Sequence, residues 1–363
     1  MKKSKLCWIF GSLLLLAGEC EAQDLGIKIF GDLGFRYQGL YDVDTTYLND
    51  LEMKFRLGFS KKVNERITAL LRFETGPQST PTGTWITMGD KLTKTSFLLN
   101  RAYLDYRTQS GFDFIVGKFD NPFVAPVYGV GASELVFDAD VPFTGVALGW
   151  NQTQEGEWKE GLRVMADYNS LTFHYSSKSA DTSAYSIGGE VAYKFPFGLV
   201  ASLSDVFFNQ EGIGDFLDGN FPDSISGLTT NSAGLDEFNL LNLTARYETT
   251  VSGKPLAILG DWVVNTKADS LQHGILGDLS WGSAKEKTNW QLGFRFTWIQ
   301  QDAVISKLTE DQSGTNLVGF MPWLKFKPLD NTLIFFTLLV TDIADGPDQP
   351  IKWRPRLYYI VNF

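Results

Sequence analysis

The chain has 363 residues and a formal net charge of −10. It carries 14% aromatic residues and 35 glycines, but two cysteines and two histidines. An acidic chain of this kind is a poor nucleic-acid ligand, and Cys7 and Cys20 both lie near the N-terminus, which leaves no disulfide framework or thiolate chemistry for the rest. No later segment approaches 18 consecutive apolar residues, so a membrane-crossing helix is excluded.

The N-terminus reads as an export signal. Lys2, Lys3 and Lys5 precede an apolar run from Leu6 to Ala17, broken only by Gly11 and Ser12. Cys20-Glu21-Ala22 places small residues at positions −3 and −1 of a signal-peptidase site. The run is shorter than the roughly 20 residues a spanning helix needs. The expected organisation is a signal peptide over 1–22 and one domain over 23–363, of 363 − 22 = 341 residues and net charge (32 − 3) − (42 − 2) = −11. An alternative is a lipoprotein signal with Cys20 lipidated, for which Glu19 is a poor preceding residue.

From there the chain alternates with a period of two. The expected strands, in order, are 27–41, 50–63, 67–75, 97–107, 112–119, 145–151, 161–168, 171–178, 186–195, 199–209, 238–249, 255–265, 273–281, 288–299, 318–327, 332–343 and 352–363. In 52–60, Met53, Phe55, Leu57 and Phe59 oppose Glu52, Lys54, Arg56 and Ser60. In 290–298, Trp290, Leu292, Phe294, Phe296 and Trp298 oppose Gln291, Arg295 and Thr297. A strand sends alternate side chains to opposite faces, so each segment has one apolar and one charged face.

A soluble sandwich also alternates, but three features favour a transmembrane antiparallel β-barrel. The polar face is dense in charge, aromatics gather near segment ends, and short turns alternate with long loops. The long connections are 76–96, 120–144, 210–237 and 301–319. An odd strand count conflicts with both termini on one side, and the turn sides clash across 120–160. Either a strand hides near 133–138 or one short segment is not a strand. The barrel is therefore expected to have 16 or 18 strands, with 18 favoured, and that many strands leave an aqueous lumen.

At the C-terminus Trp353, Leu357, Tyr359, Val361 and Phe363 alternate, and the chain given ends on Phe363. This resembles the terminal signature of outer-membrane barrels, and implies Tyr359, Val361 and Phe363 as a signal for the barrel-assembly machinery.

The stretch 100–148 resembles the porins of Gram-negative bacteria. The residues that carry it are Arg101-Ala102-Tyr103-Leu104-Asp105-Tyr106, Val116-Gly117-Lys118-Phe119-Asp120-Asn121-Pro122-Phe123, Glu134-Leu135-Val136-Phe137-Asp138-Ala139-Asp140 and Thr144-Gly145-Val146-Ala147-Leu148. The resemblance implies passive diffusion of ions and small hydrophilic solutes through a barrel in outer-membrane lipid, commonly as a homotrimer. It also implies that the segment after Phe119 folds into the lumen. It fixes no substrate, so a channel specific for a sugar, phosphate or organic anion stays open, as does a structural or adhesive barrel.

Alternation alone places Arg36, Lys54, Arg56, Arg72, Arg101, Arg163, Arg246, Arg295, Arg354 and Arg356 on inward faces, as pore-lining candidates. Asp32, Glu52, Glu74, Asp105, Asp113, Asp167, Glu190 and Glu248 share those faces, so ion preference is not legible. Segment 120–144 is too apolar for a free loop and is broken by Pro122, Pro126, Gly129 and Gly131. As an infolded constriction it would set Glu134, Asp138 and Asp140 against a basic wall, a transverse field that filters ions; an ordinary strand pair is the competing reading. His174 and His273 lack a nucleophile and an orienting partner, so no enzyme is expected. Asp215, Asp218 and Asp223 do not fit an EF-hand, although Ca²⁺ at that loop stays open. No P-loop, dinucleotide or zinc pattern occurs, and no cofactor or metal is expected.

Overall fold

The computed structural model describes residues 21–22, 26–42, 46–76, 83–88, 95–123, 135–152, 158, 160–171, 184–209, 231–232, 235, 237–309, 314–345 and 350–363. Sixteen long strands form its wall. They are β1 Ile27–Tyr41, β2 Thr46–Lys62, β3 Ile67–Thr75, β4 Phe97–Arg107, β5 Phe112–Phe119, β6 Phe143–Asn151, β7 Gly161–Ser170 and β8 Tyr185–Lys194, followed by β9 Leu199–Phe208, β10 Phe238–Val251, β11 Lys254–Asn265, β12 His273–Gly282, β13 Trp290–Ile299, β14 Leu317–Phe326, β15 Thr332–Ile343 and β16 Lys352–Asn362. Each pairs antiparallel with the next, and β16 pairs with β1 to close an all-β barrel. Two two-residue strands attach to this wall: Glu21–Ala22 on Ile27 and Lys28, and Ile86–Thr87 on Glu52 and Met53. Closure satisfies every wall strand's backbone from its neighbours, the condition for crossing lipid with strands.

The wall decides the expected 16 or 18 strands in favour of 16 and against the favoured 18. Ser170 pairs with Tyr185 and the ladder runs to Gly161 opposite Lys194, so no strand lies between β7 and β8. Of the expected strand 171–178, Leu171 lies outside any strand and 172–178 (with His174) lie outside the described residues. Of the stretch 133–138, where a hidden strand is the alternative, the described residues Leu135–Asp138 are irregular. Dropping 171–178 restores parity. The chain termini and the turns after β2, β4, β6, β8, β10, β12 and β14 then share one end, and the connections after β3, β5, β7, β9, β11, β13 and β15 share the other.

The two faces follow the expected alternation. On β13, Phe294 is 48% exposed and its neighbour Arg295 is 5% exposed. The bulky apolar residues Leu203, Leu243, Ile258, Leu279, Phe320 and Leu357 are likewise exposed, on the outside. A single barrel in lipid shows apolar side chains outward and polar ones inward.

One part of the interior departs from that rule. The loop-side ends of β6–β13 turn Phe143, Ala147, Met165, Val206, Phe208, Phe238, Leu240, Val263, Leu276 and Ile299 inward, into one apolar cluster. Two infolded segments complete it: Leu135, Val136, Phe137 and Val141 from the β5–β6 connection, and Ala303, Val304, Ile305 and Leu308 from the β13–β14 connection. These loops leave water because the wall behind them is apolar.

Candidate functional site

The inward face of β1–β4 is a lattice of opposed charges. Antiparallel register sets Asp32 opposite Arg56, Arg36 opposite Glu52, Gly34 opposite Lys54, and Arg56 opposite Glu74. Directly opposed side chains meet, and unlike charges stabilise the pair. Arg36 Nε lies 2.6 Å from Glu52, Arg56 Nε 2.6 Å from Asp32, and Lys54 Nζ 3.5 Å from Asp32. Arg72 Nη2 lies 3.8 Å from both Glu74 and Asp120. A register shift opposite Arg72 and Phe73 lets consecutive residues of β4, Asn100 and Arg101, both be buried. Asn100 accepts from Arg72 at 2.9 Å.

Arg101, fully buried, fastens the β5–β6 segment at both ends. It donates to the Asp120 carboxylate at 2.7 Å and to the carbonyls of Asp140 and Val141 at 3.3 and 3.4 Å. Asp140 lies 3.4 Å from Arg56 Nη1 and accepts from the Thr84 hydroxyl at 3.4 Å. At its other edge the segment leans on the β13–β14 connection: Asp138 N–H donates to Leu308 O at 2.7 Å, and Thr309 Oγ1 to Leu135 O at 2.8 Å. Arg163 Nη2 donates to Pro122 O at 2.5 Å. The segment thus crosses the lumen from the charged wall to an apolar bed.

Of the ten expected inward cations, Arg36, Lys54, Arg56, Arg72 and Arg101 gather on four adjacent strands, and Arg354 and Arg356 lie buried on β16. Arg163 sits apart on β7 with Glu190 at 3.2 Å, Arg246 on β10 with Glu248 at 2.7 Å, and Arg295 on β13 with Asp278 at 3.1 Å. The three expected constriction carboxylates also divide. Asp140 faces Arg56. Asp138 is buried, and its Oδ1 accepts from Asp140 N–H at 2.6 Å, which holds a turn. Glu134 lies outside the described residues, as do Asp215, Asp218 and Asp223. His273 opens β12 beside Trp262, with ring centroids 6.1 Å apart.

Sequence reasoning missed Asp120, the partner of Arg101, which stood in the quoted stretch without a strand face to assign it. It also missed Trp85. This residue precedes the short strand Ile86–Thr87 and reaches down the inner wall, with Arg36 Cζ 4.6 Å and Lys54 Nζ 5.0 Å from its ring centroid. At the terminus, Tyr359 faces outward, Phe363 stacks 6.1 Å from Phe55, and Gly31 and Phe363 exchange backbone hydrogen bonds of 2.9 and 3.0 Å.

With this geometry in place, the comparisons are specific. Residues 31–186 match the family model described as "Putative porin". That stretch, less than half of the chain, is similar to the Gram-negative outer-membrane porins that the model describes. Solved structures with the same fold include Salmonella typhi OmpF in complex with daunomycin, at TM-score 0.59 and 11% identity over 94% of this chain and 99% of that one. Pseudomonas putida OprB at low pH aligns at TM-score 0.54 and 12% identity, over 100% of this chain and 99% of that one. A Rh. blastica porin variant aligns at 0.53 and 12%, over 93% and 100%. At these identities the structural likeness is one of fold. No curated protein sequence matches this chain.

Proposed function

We propose that this protein is a porin that passes ions and small hydrophilic solutes by diffusion, along a passage bounded by its charged wall and the infolded residues 135–141. The observation that carries the reading is the span of Asp120 and Asp140. Rooted between β5 and β6, they reach Arg101 on β4 and Arg56 on β2. Carboxylates and guanidinium groups set together at the edge of a water-filled passage orient polar solutes and filter ions. The two infolded loops occupy the β6–β13 side, so the passage runs along β14–β16 and β1. Arg36, Lys54, Arg56 and Arg72 act on the solute as a group with Arg101 as the buried clamp behind them, whereas Arg163, Arg246 and Arg295 balance nearby carboxylates.

In the same reading residues 1–22 are removed on export and the end bearing the long loops faces outside the cell. Tyr359, Val361 and Phe363 are read by the assembly machinery, and the barrel assembles as a homotrimer in outer-membrane lipid. The test is planar-bilayer recording of the purified, refolded protein in potassium chloride. Stable ohmic steps are expected, in multiples of three if trimers insert. A heat-modifiable, folded barrel that conducts nothing would overturn the channel reading in favour of a filled, structural barrel.

A further inference from the structure

The wall along which the passage is proposed carries an aromatic strip that diffusion of inorganic ions does not require. Register places Lys325 on β14, Phe335 on β15, Tyr358 on β16 and Arg36 on β1 along one continuous line of inward positions. The two central rings stack 5.2 Å apart at 23°. Trp323 extends the row beside Phe335 at 6.3 Å, and Trp85 extends it beyond Tyr358 at 5.5 Å. Cations bracket both ends: Lys325 Nζ lies 4.6 Å from the Phe335 centroid, and Arg36 Cζ 4.6 Å from that of Trp85. Arg354 and Arg356 share the inward face of β16 with Tyr358.

Two glycines let the end rings lie against the wall. A Cβ at Gly293 would stand 2.2 Å from the Trp323 ring, and one at Gly34 would stand 2.9 Å from Trp85. Phe335 and Trp85 are only half-buried, and Phe335 packs against Met321, Trp323 and Leu339 rather than the cluster that shelters the infolded loops. Trp85 is also held deliberately. Its neighbour Thr84 donates from its hydroxyl to Asp140 at 3.4 Å and accepts from Thr75 at 3.0 Å, while Ile86–Thr87 pairs with β2. The row therefore begins beside the Asp140 narrowing and ends at Lys325, one residue from the turn-side end of β14.

We propose that this strip is a binding track for organic anions with a flat apolar body, such as aryl carboxylates. The ring faces take the body by stacking and the bracketing cations take the carboxylate. Neighbouring strands are about 4.8 Å apart, so Lys325 and Arg36, three strands apart, stand roughly 14 Å from each other across the strip. A single arylcarboxylate fits between them with one end always near a cation. This inference rests on the channel reading and names its solute class.

The test is block of the potassium chloride current of the whole protein in planar bilayers by benzoate, with acetate and glucose as controls. Saturable block by benzoate and none by acetate or glucose is expected. Trp85→Leu and Phe335→Leu should each raise the half-blocking benzoate concentration by about fivefold, the loss of one stacking face. Lys325→Gln should raise it without making acetate a blocker. Equal effects of benzoate and acetate in the wild type, block by glucose instead, or benzoate block unchanged in folded Trp85→Leu and Phe335→Leu would each overturn the track while leaving the channel intact. Absence of chloride current altogether would instead overturn the channel reading itself.

Discussion

Arg101 and Asp120 join the wall to the root of the infolded segment: the guanidinium Nε stands 2.7 Å from the carboxylate oxygen. Arg101 also serves the carbonyls where the segment returns, at Asp140 and Val141. One side chain therefore ties down both ends of the crossing, beside the contacts of Asp140 with Arg56 and of Asp138 with Leu308.

Arg101→Met should loosen that crossing. Each buried acceptor left without a donor costs about 1–3 kcal/mol. The barrel should still close, since its ladder does not depend on this side chain. Single-channel recordings should show larger mean conductance and greater open-channel noise. A quiet channel of wild-type size would contradict the clamp.

Asp120→Asn with Asp140→Asn should shift the reversal potential toward anions, with less effect at high salt, where the Debye length falls to about 3 Å at 1 M. Asp138→Asn should behave differently. Asp138 is buried and holds the turn through Asp140 N–H, so its change should disturb the segment and raise noise without the same shift in selectivity. Equivalent shifts from Asp138→Asn and from the double variant would refute the division of labour.

Phe294→Arg and Arg295→Leu test the two faces of β13. Arginine at the lipid midplane costs about 2–4 kcal/mol, so Phe294→Arg should reduce insertion. Arg295→Leu alone strands the buried carboxylate of Asp278, its partner at 3.1 Å, and should also lower stability. Adding Asp278→Asn should restore the barrel, because no uncompensated charge remains. Heat-modifiable mobility on gels is the measurement. Rescue of Phe294→Arg by the same second change would count against the face assignment.

Deletion of Phe363 should impair assembly far more than deletion of one loop residue. It removes two backbone hydrogen bonds to Gly31 and the ring stacked on Phe55, at the seam where β16 closes on β1. Unpaired backbone groups in lipid cost several kcal/mol each. Wild-type yields of folded barrel from the deletion variant would refute this.

Much of the barrel was legible from local chemistry. Period two alone assigned Arg295 inward and Phe294 outward, because the faces of a strand alternate whatever its neighbours do. Turn chemistry and apolar runs located 16 of the strands for the same reason. The error at 171–178 was of a different kind: a short alternating stretch looks like a strand, and only the direct pairing of Ser170 with Tyr185 shows that the wall has no place for it. Which cations act together was likewise decided in three dimensions. Arg36 and Arg163 read alike along the chain, yet Arg36 stands in the β1–β4 lattice while Arg163 bonds to Glu190 and the Pro122 carbonyl on the far side. Asp120 and Trp85 sit in connections with no period to assign them, so their partners come from contacts between segments remote in the chain. Alternation is set by the covalent geometry of successive residues and is written in the sequence; which inward groups meet depends on closure, register and the folding-in of loops.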